Sequence, residues 1–266
     1  MEGIESRDII RIEDDSIKRD IDYVSVESPL SIKISSKDNL DFSLGLLMRT
    51  PGNDSDLIKG LLYNEGIISS KSDIIEIIEN TDYNKVILSN NVEFNPQEHN
   101  RKLTMTSSCG ICGKESISNL IHLHGPELSD NIHININIIA NALSALQNGQ
   151  NFFSSTGGTH ACARIDISGS LISIAEDIGR HNAMDKLIGD ALNNDNLPIR
   201  EEIVVISGRA SFELVQKSLR AGFPIMIAIG APSSLAIDLA TEHGMTLIGF
   251  AKKNKITIFS GSKRIQ

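Results

Sequence analysis

"EIVVISGRASFELVQKSLRAGFPIMIAIG", residues 202–230, decides the fold. Its first piece, "EIVVIS" (202–207), is a short β-branched apolar run of the kind that forms a fully buried strand. "SFELVQKSLRAG" (211–222) then changes to helical spacing and is closed by Gly222, a helix-terminating glycine. "PIMIAIG" (224–230) returns to a buried strand. A strand, a helix and a second strand in so short a span argue for an α/β arrangement.

The alternation continues on both sides. Downstream, "SSLAIDLATEHG" (233–244) reads as a helix, followed by strands at "MTLIGF" (245–250) and "KITIFS" (255–260). Upstream, "RHNAMDKLIGDAL" (180–192) is a helix, preceded by strands "ACARIDIS" (161–168) and "LISIAE" (171–176) about Gly169. "IHININIIANALSALQ" (132–147) ends as a helix. The order α-β-β-α-β-α-β-α-β-β predicts a three-layer α/β unit with a mixed sheet over residues 127–266. Residues 1–105 differ and predict a smaller α+β region. There "SIKISS" (31–36) and "NKVILS" (84–89) read as strands. "RTPGNDSDLIKGLLYNEGII" (49–68) reads as a turn and a helix, capped by Asp54 or Ser55, with Leu57, Leu61 and Leu62 on one face.

The chain has 266 residues and 40% hydrophobic content, enough for one large core or two smaller ones. A net charge of −9 and a pI of about 5.3 argue against a nucleic-acid backbone binder, but leave room for a local basic pocket. Three cysteines in this length make no disulfide framework. The N-terminal "MEGIESRDIIRIEDD" is unlike a secretory signal, and no apolar run approaches the ~18 residues of a membrane span. A cytoplasmic protein with reduced thiols is expected.

Chemistry concentrates at strand-to-helix junctions. "EDIGRHNAMDK" (176–186), "SGRASFE" (207–213) and "GAPSSLA" (230–236) each put small residues before a helix N-terminus. Backbone N–H groups and the helix dipole there favour anions, phosphates above all. Arg180 and Arg209 add charge-assisted contacts. The plainer reading is that Asp177, Ser207 and Ser233 simply cap helices. His181 and Asp185 share a helical face, which would let the carboxylate orient the imidazole. Glu176 and Asp177 could bind a cation as a pair, although no metal-loop spacing surrounds them. In "GGTHACAR" (157–164), His160 starts a strand beside the glycine pair Gly157-Gly158, and Cys162 reads as a small buried hydrophobe.

"TSSCGICGKES" (106–116) holds Cys109 and Cys112 in C-x-x-C spacing. Zinc would need two more ligands, and no second knuckle exists; His122 and His124 face opposite sides of a helix. A dithiol redox site is chemically open, with "KESISNLIHLHG" (114–125) as its helix and Lys114 lowering a thiol pKa. The flanking serines and glycines fit a mobile loop, residues 106–126 with the following helix, that carries a thiol between a donor and an acceptor.

Seven stretches in order resemble one family, the formate dehydrogenase accessory sulfurtransferases of the FdhD/NarQ type. They are "LMRTPGNDSDLIKGLLYNEGII" (47–68), "SSCGICGKESI" (107–117), "TGGTHACAR" (156–164), "EDIGRHNAMDKLIG" (176–189), "SGRASFELVQKSLRAG" (207–222), "GAPSSLAIDLA" (230–240) and "LIGFAKKNK" (247–255). The resemblance implies a cytidine-deaminase-like fold and a homodimer. It implies a sulfurtransferase that accepts persulfide sulfur from a cysteine desulfurase on Cys109, with Cys112 assisting. The acceptor it implies is the molybdenum or tungsten bis-guanine-dinucleotide cofactor, destined for formate dehydrogenase, with GDP or GTP as a fragment mimic. The family's cofactor-binding segment maps onto Phe250, Ala251, Lys252, Lys253, Asn254 and Lys255. His160, Arg180, His181, Ser207, Gly208 and Arg209 complete the expected pocket, and no metal site is expected. Lys252 and Lys255 stand where relatives usually carry arginine, which removes the bidentate fork. Cys162 stands where alanine is commoner. The motif of a zinc deaminase is not met, because His160-Ala161-Cys162 lacks the H-x-E glutamate and the C-x-x-C lies upstream, which argues against deamination. A binding-only chaperone for the cofactor and a dithiol redox enzyme remain as alternatives.

Overall fold

The computed structural model describes residues 2–14, 16–37, 41–80, 82–96 and 125–266. Cys109, Cys112, His122, His124 and nearly all of the helix expected at 114–125 lie outside the described residues.

The expected alternation is present. A helix α2 (Ile136–Gly149) and a short α3 (Asn151–Thr156) precede strands β7 (His160–Ile165) and β8 (Leu171–Asp177). Then come α4 (Arg180–Asn193), β9 (Ile203–Ile206), α5 (Phe212–Ala221), β10 (Ile225–Ala228), α6 (Ser234–Glu242), β11 (Thr246–Lys252) and β12 (Lys255–Ser260). The six strands form one sheet in the order β12-β11-β10-β9-β7-β8. β9, β10 and β11 run parallel, while β7 runs antiparallel to both β8 and β9.

Side chains alternate across this sheet and build a core on each face. Val204, Ile206, Met226 and Leu247 pack with α4, α5 and α6 on one side. Ile203, Val205, Ile225 and Ile227 pack with α2 on the other. The result is three layers. Four-residue strands such as β9, buried throughout, are legible as continuous apolar runs because both faces are covered.

The N-terminal part has its own core. β3 (Ser28–Ser35), β4 (Phe42–Arg49), β5 (Ile74–Glu79) and β6 (Asn84–Leu88) form a four-stranded sheet in the order β4-β3-β6-β5. Helix α1 (Asp54–Asn64) buries Leu57, Ile58, Leu61 and Leu62 against it. The expected Asp54 or Ser55 cap is not used. Asn53 is the capping position, in the left-handed region at φ 57° and without a side-chain cap bond. Asp54 instead pairs with Arg49 at 2.6 Å.

Helix α1 lies backbone to backbone on α4. A Cβ on Gly60 would stand 1.8 Å from the carbonyl oxygen of Asp185, and one on Gly189 would stand 1.9 Å from that of Asp56. No rotamer relieves a clash with main chain. Gly60→Ala is therefore expected to destabilise the protein by more than the ~1–3 kcal/mol of ordinary overpacking. Denaturant titration checks this, and a loss below ~1 kcal/mol would mean the helices separate easily.

β1 (Ile4–Glu13) and β2 (Ser16–Ser25) form a two-stranded ribbon that the polar composition of this stretch gave no sign of. No helix among the described residues is long and apolar enough to cross a membrane.

Candidate functional site

The antiparallel insertion of β7 and β8 brings strand starts and strand ends to one edge of the six-stranded sheet. His160 opens β7 opposite Asp177, which closes β8. Because Cys162 pairs with Ile206, His160 sits beside the end of β9. Ser207 extends that ladder, donating its N–H to Ala161 O at 2.9 Å and accepting from Ala161 N–H through Oγ at 2.9 Å. Gly208 follows, with space for a Cβ 3.4 Å from His160 Nδ1.

The backbone ladder then runs on across the next junctions. Gly230 N–H donates to Gly208 O at 2.9 Å, and Phe250 N–H donates to Gly230 O at 3.1 Å. A Cβ on Gly230 would meet Gly208 O at 2.8 Å and Arg209 Cα at 2.9 Å, so this close approach requires glycine. Phe250 adopts φ 50°, unusual for a bulky residue, and is 49% exposed.

Four cationic or basic side chains converge here. The imidazole of His160 is held below its usual pKa, first by partial burial and then by repulsion from Arg180, His181 and Arg209. Arg180 is the first residue of α4, and its Nε is buried without a hydrogen-bond partner. A buried guanidinium N–H left over in this way can be satisfied by a water or by an anion. Neither α4, with Gly179 at its cap, nor α5, with Ser211, has a side-chain cap bond, so both present free N–H groups to the same edge. The third junction differs: Ser233 Oγ accepts from Ala236 N–H at 3.3 Å and caps α6.

His181 is not oriented by Asp185. Its Nε2 lies 2.9 Å from Glu213 Oε2 and 3.3 Å from Ser211 Oγ, both on the neighbouring junction. The bond from His181 holds the Glu213 carboxyl below its usual pKa, against the opposing effect of burial. Asp185 points one turn deeper, to Lys217 Nζ at 2.5 Å and Asn64 Nδ2 at 2.7 Å. Sequence spacing allowed the His181–Asp185 pair, but α5 supplies a better partner to each.

Glu176 and Asp177 do not form a cation site either. Neighbours on a strand face opposite ways. Glu176 accepts from the N–H groups of Phe152 and Phe153 at 2.8 and 2.9 Å, capping α3. Asp177 turns inward to Lys186 Nζ at 2.8 Å, with the two side chains 0% and 3% exposed. It also accepts from Thr50 N–H at 3.1 Å, Gly179 N–H at 2.9 Å and Asn182 Nδ2 at 3.0 Å. Thr50 returns the contact, accepting from Ile178 N–H at 3.0 Å and from Lys186 Nζ at 2.8 Å. This network, missed by sequence reasoning, ties the turn before α1 to the start of α4. The motif "RTPGND" carries Thr50, but nothing in its spacing announces a partner at Asp177.

The segment after Phe250 divides. Ala251 is buried in the core, whereas Lys252, Lys253, Asn254 and Lys255 form the exposed β11–β12 turn, with Lys252 opposite Lys255. Cys162 is buried, and burial pushes its thiol far above the ordinary range, with Asp185 adding to the effect. Among the described residues no cluster of His, Cys, Asp and Glu could hold a metal ion. The arrangement is suited to binding a phosphate-bearing anion.

Comparison with known proteins finds relatives over nearly the whole chain. The chain is 37% identical to the "Sulfur carrier protein FdhD" of Streptomyces coelicolor, covering 98% of this chain and 95% of the relative. It is 38% identical to the protein of the same name from Saccharolobus solfataricus, covering 97% and 96%. It is 41% identical to that of Picrophilus torridus, covering 92% of each. A crystal structure from Desulfotalea psychrophila, described as a formate dehydrogenase accessory protein, shares the fold with a TM-score of 0.78 at 23% identity, over 99% of this chain and all of that one. The FdhD/NarQ family model matches residues 25–266, and the chain belongs to that family.

Proposed function

We propose that this protein is a sulfur carrier that takes sulfane sulfur from a cysteine desulfurase onto Cys109 and delivers it to a guanine-dinucleotide molybdenum or tungsten cofactor used by formate dehydrogenase. In the first step the Cys109 thiolate attacks the terminal sulfur of the desulfurase persulfide. A new S–S bond forms on Cys109, the donor's S–S bond breaks, and the donor leaves as a thiolate. Attack of the Cys112 thiolate on Cys109 Sγ then releases that sulfur as hydrosulfide and leaves the two cysteines as a disulfide. The cofactor is the acceptor and is a substrate here. In the same reading, the chain acts as a pair of copies, and residues 127–266 form a cytidine-deaminase-like unit, a type that the observed element order supports.

The observation that carries the proposal is the cationic edge formed by His160, Arg180, His181 and Arg209, together with the unpartnered Arg180 Nε. Phosphates of a guanine dinucleotide would lie against Arg180, Arg209 and the free N–H groups of α4 and α5. Phe250 and the lysines of the following turn extend the same surface. A binding-only chaperone would share this pocket, so sulfur loading separates the two readings. Incubation of Cys112→Ala, which lacks the releasing thiolate, with a cysteine desulfurase and cysteine is expected to add the mass of one sulfur atom to the intact protein, while the wild type is expected to release hydrosulfide. A Cys112→Ala chain that stays unloaded is not a carrier.

GDP serves as the probe of the pocket. Arg180→Ala and Arg209→Ala are each expected to weaken its binding at least tenfold, or ~1.4 kcal/mol, in calorimetry. Unchanged affinity in both would make the arginines structural. Binding should also take up protons. Free His160 is disfavoured from protonating by burial and by three neighbouring cations. A bound phosphate offsets that repulsion and raises the imidazole pKa, so GDP affinity should increase as pH falls toward ~6.5. Calorimetry in buffers of different ionisation enthalpy measures the uptake, and His160→Gln should abolish it.

A further inference from the structure

Six of the large apolar side chains that remain exposed, Ile10, Ile12, Ile17, Ile21, Tyr23 and Val24, belong to the β1–β2 ribbon. Its register places Ile10, Ile12, Ile17, Ile21 and Tyr23 on one face, and these residues are 55–72% exposed. Ser6, Asp8 and Arg19 share that face. The opposite face is charged, with Arg11 bridging Asp20 at 3.4 Å and Asp22 at 3.2 Å across the strands. The ribbon is held to the body at its base. Ser25 Oγ bonds Thr156 Oγ1 at 2.7 Å, and Gly3 lies against Thr50 and Phe152.

A lone two-stranded ribbon is marginal in water and needs a hydrophobic face covered to be stable. We propose that the apolar face of this ribbon packs on the body of a second copy of the chain, each copy reaching across to the other. Area decides for this occupant. Strands of 10 residues at ~3.3 Å per residue give a ribbon about 33 Å long and roughly 10 Å wide. One face is then ~330 Å². Two arms, and the equal areas they cover on the two bodies, bury ~1,300 Å², inside the ~1,200–2,000 Å² of stable interfaces. Two ribbons pressed only against each other would bury about half of that, which is the size of a crystal contact.

Ile167, Leu171 and Ile172, at the free edge of the six-stranded sheet, are 40–53% exposed and give the body apolar surface to receive an arm. The charged outer face stays solvated, so the exchange closes as a pair rather than growing into a fibre. The ribbon lies almost wholly ahead of residues 25–266, where the family model matches. The inference names a surface for the two-copy assembly proposed above and is independent of the sulfur chemistry.

Sedimentation equilibrium of the full chain tests it. The wild type is expected at twice the 29.0 kDa chain mass. Ile12→Lys combined with Ile17→Lys places two cations directly opposite each other on the apolar face and is expected to weaken association at least a hundredfold. Ile21→Lys alone should weaken it about tenfold, and far-ultraviolet circular dichroism should stay unchanged in both. Glu5→Gln, on the charged face, serves as a control that leaves the pair intact. A wild type that remains monomeric overturns both the pair and its surface. A pair that survives all the lysine variants overturns the surface alone. Should the double variant unfold, the single variant and a lysine at Ile10 decide the outcome.

Discussion

Cys109→Ala is expected to abolish sulfur loading, not to redirect it. The chain keeps two other thiols. Cys162 is the one that structure rules out, because it is fully enclosed on β7 and its thiol is pushed far above the range in which a thiolate exists near neutral pH. The thiolate is the attacking species, so a neutral, enclosed thiol neither reaches a desulfurase persulfide nor attacks it. Cys112, under the proposal, attacks Cys109 and does not receive from the donor. Intact-mass measurement after desulfurase treatment should therefore give the unmodified mass for Cys109→Ala. Cys162→Ala should release hydrosulfide like the wild type, and Cys112→Ala should load but fail to release hydrosulfide. Loading of Cys109→Ala at the level of Cys112→Ala would sink the assignment of the carrier.

Asp177→Ala is expected to cost ~3–5 kcal/mol, the range found when one member of a buried ion pair is removed. The ammonium of Lys186, 3% exposed, would keep its bond to Thr50 O at 2.8 Å but lose its counter-charge. Thr50 N–H would also be left without an acceptor. Such a loss is a large share of the ~5–15 kcal/mol that holds an ordinary domain together. Asp177→Asn separates the causes, since an amide still accepts from Thr50 N–H but does not neutralise Lys186. Combining Asp177→Asn with Lys186→Met should recover most of the stability, because the stranded charge is gone. Urea titrations of the three proteins decide the matter. A loss below ~1 kcal/mol in Asp177→Ala would show that water reaches Lys186. GDP binding should fall in Asp177→Ala as well, because the same carboxylate holds Gly179 and Asn182 at the head of α4.

The six-stranded unit was legible because its sheet is covered on both faces. Strands such as β9 and β10 are then unbroken apolar runs, and their helices end in glycines such as Gly222, which sits at φ 93°. The β1–β2 ribbon was not legible for the opposite reason. It has no core of its own, and its alternation of isoleucine with charge looks like polar chain. Within the site, Arg180, Arg209 and His160 were readable as types and positions before helices and strands. Their convergence depends on β7 running against β9, which local sequence does not state. The partners of His181 and Asp185 were misread because spacing along one helix cannot register a neighbouring helix. Glu213 and Lys217, four residues apart on α5, meet His181 and Asp185, four apart on α4, as two rungs of a ladder.

The facing glycines of α1 and α4 have a consequence for alignment. Gly60 receives the carbonyl of Asp185, and Gly189 receives that of Asp56, so each helix carries a notch filled by the other's backbone. Sliding α4 along α1 would carry the Asp185 carbonyl out of its notch and toward the side chains three or four residues away on the same face of α1. The pair therefore works as a mechanical datum that fixes α4 along its axis. Arg180 and His181, at the head of that helix, inherit their height above the sheet from two hydrogen atoms where other residues have side chains.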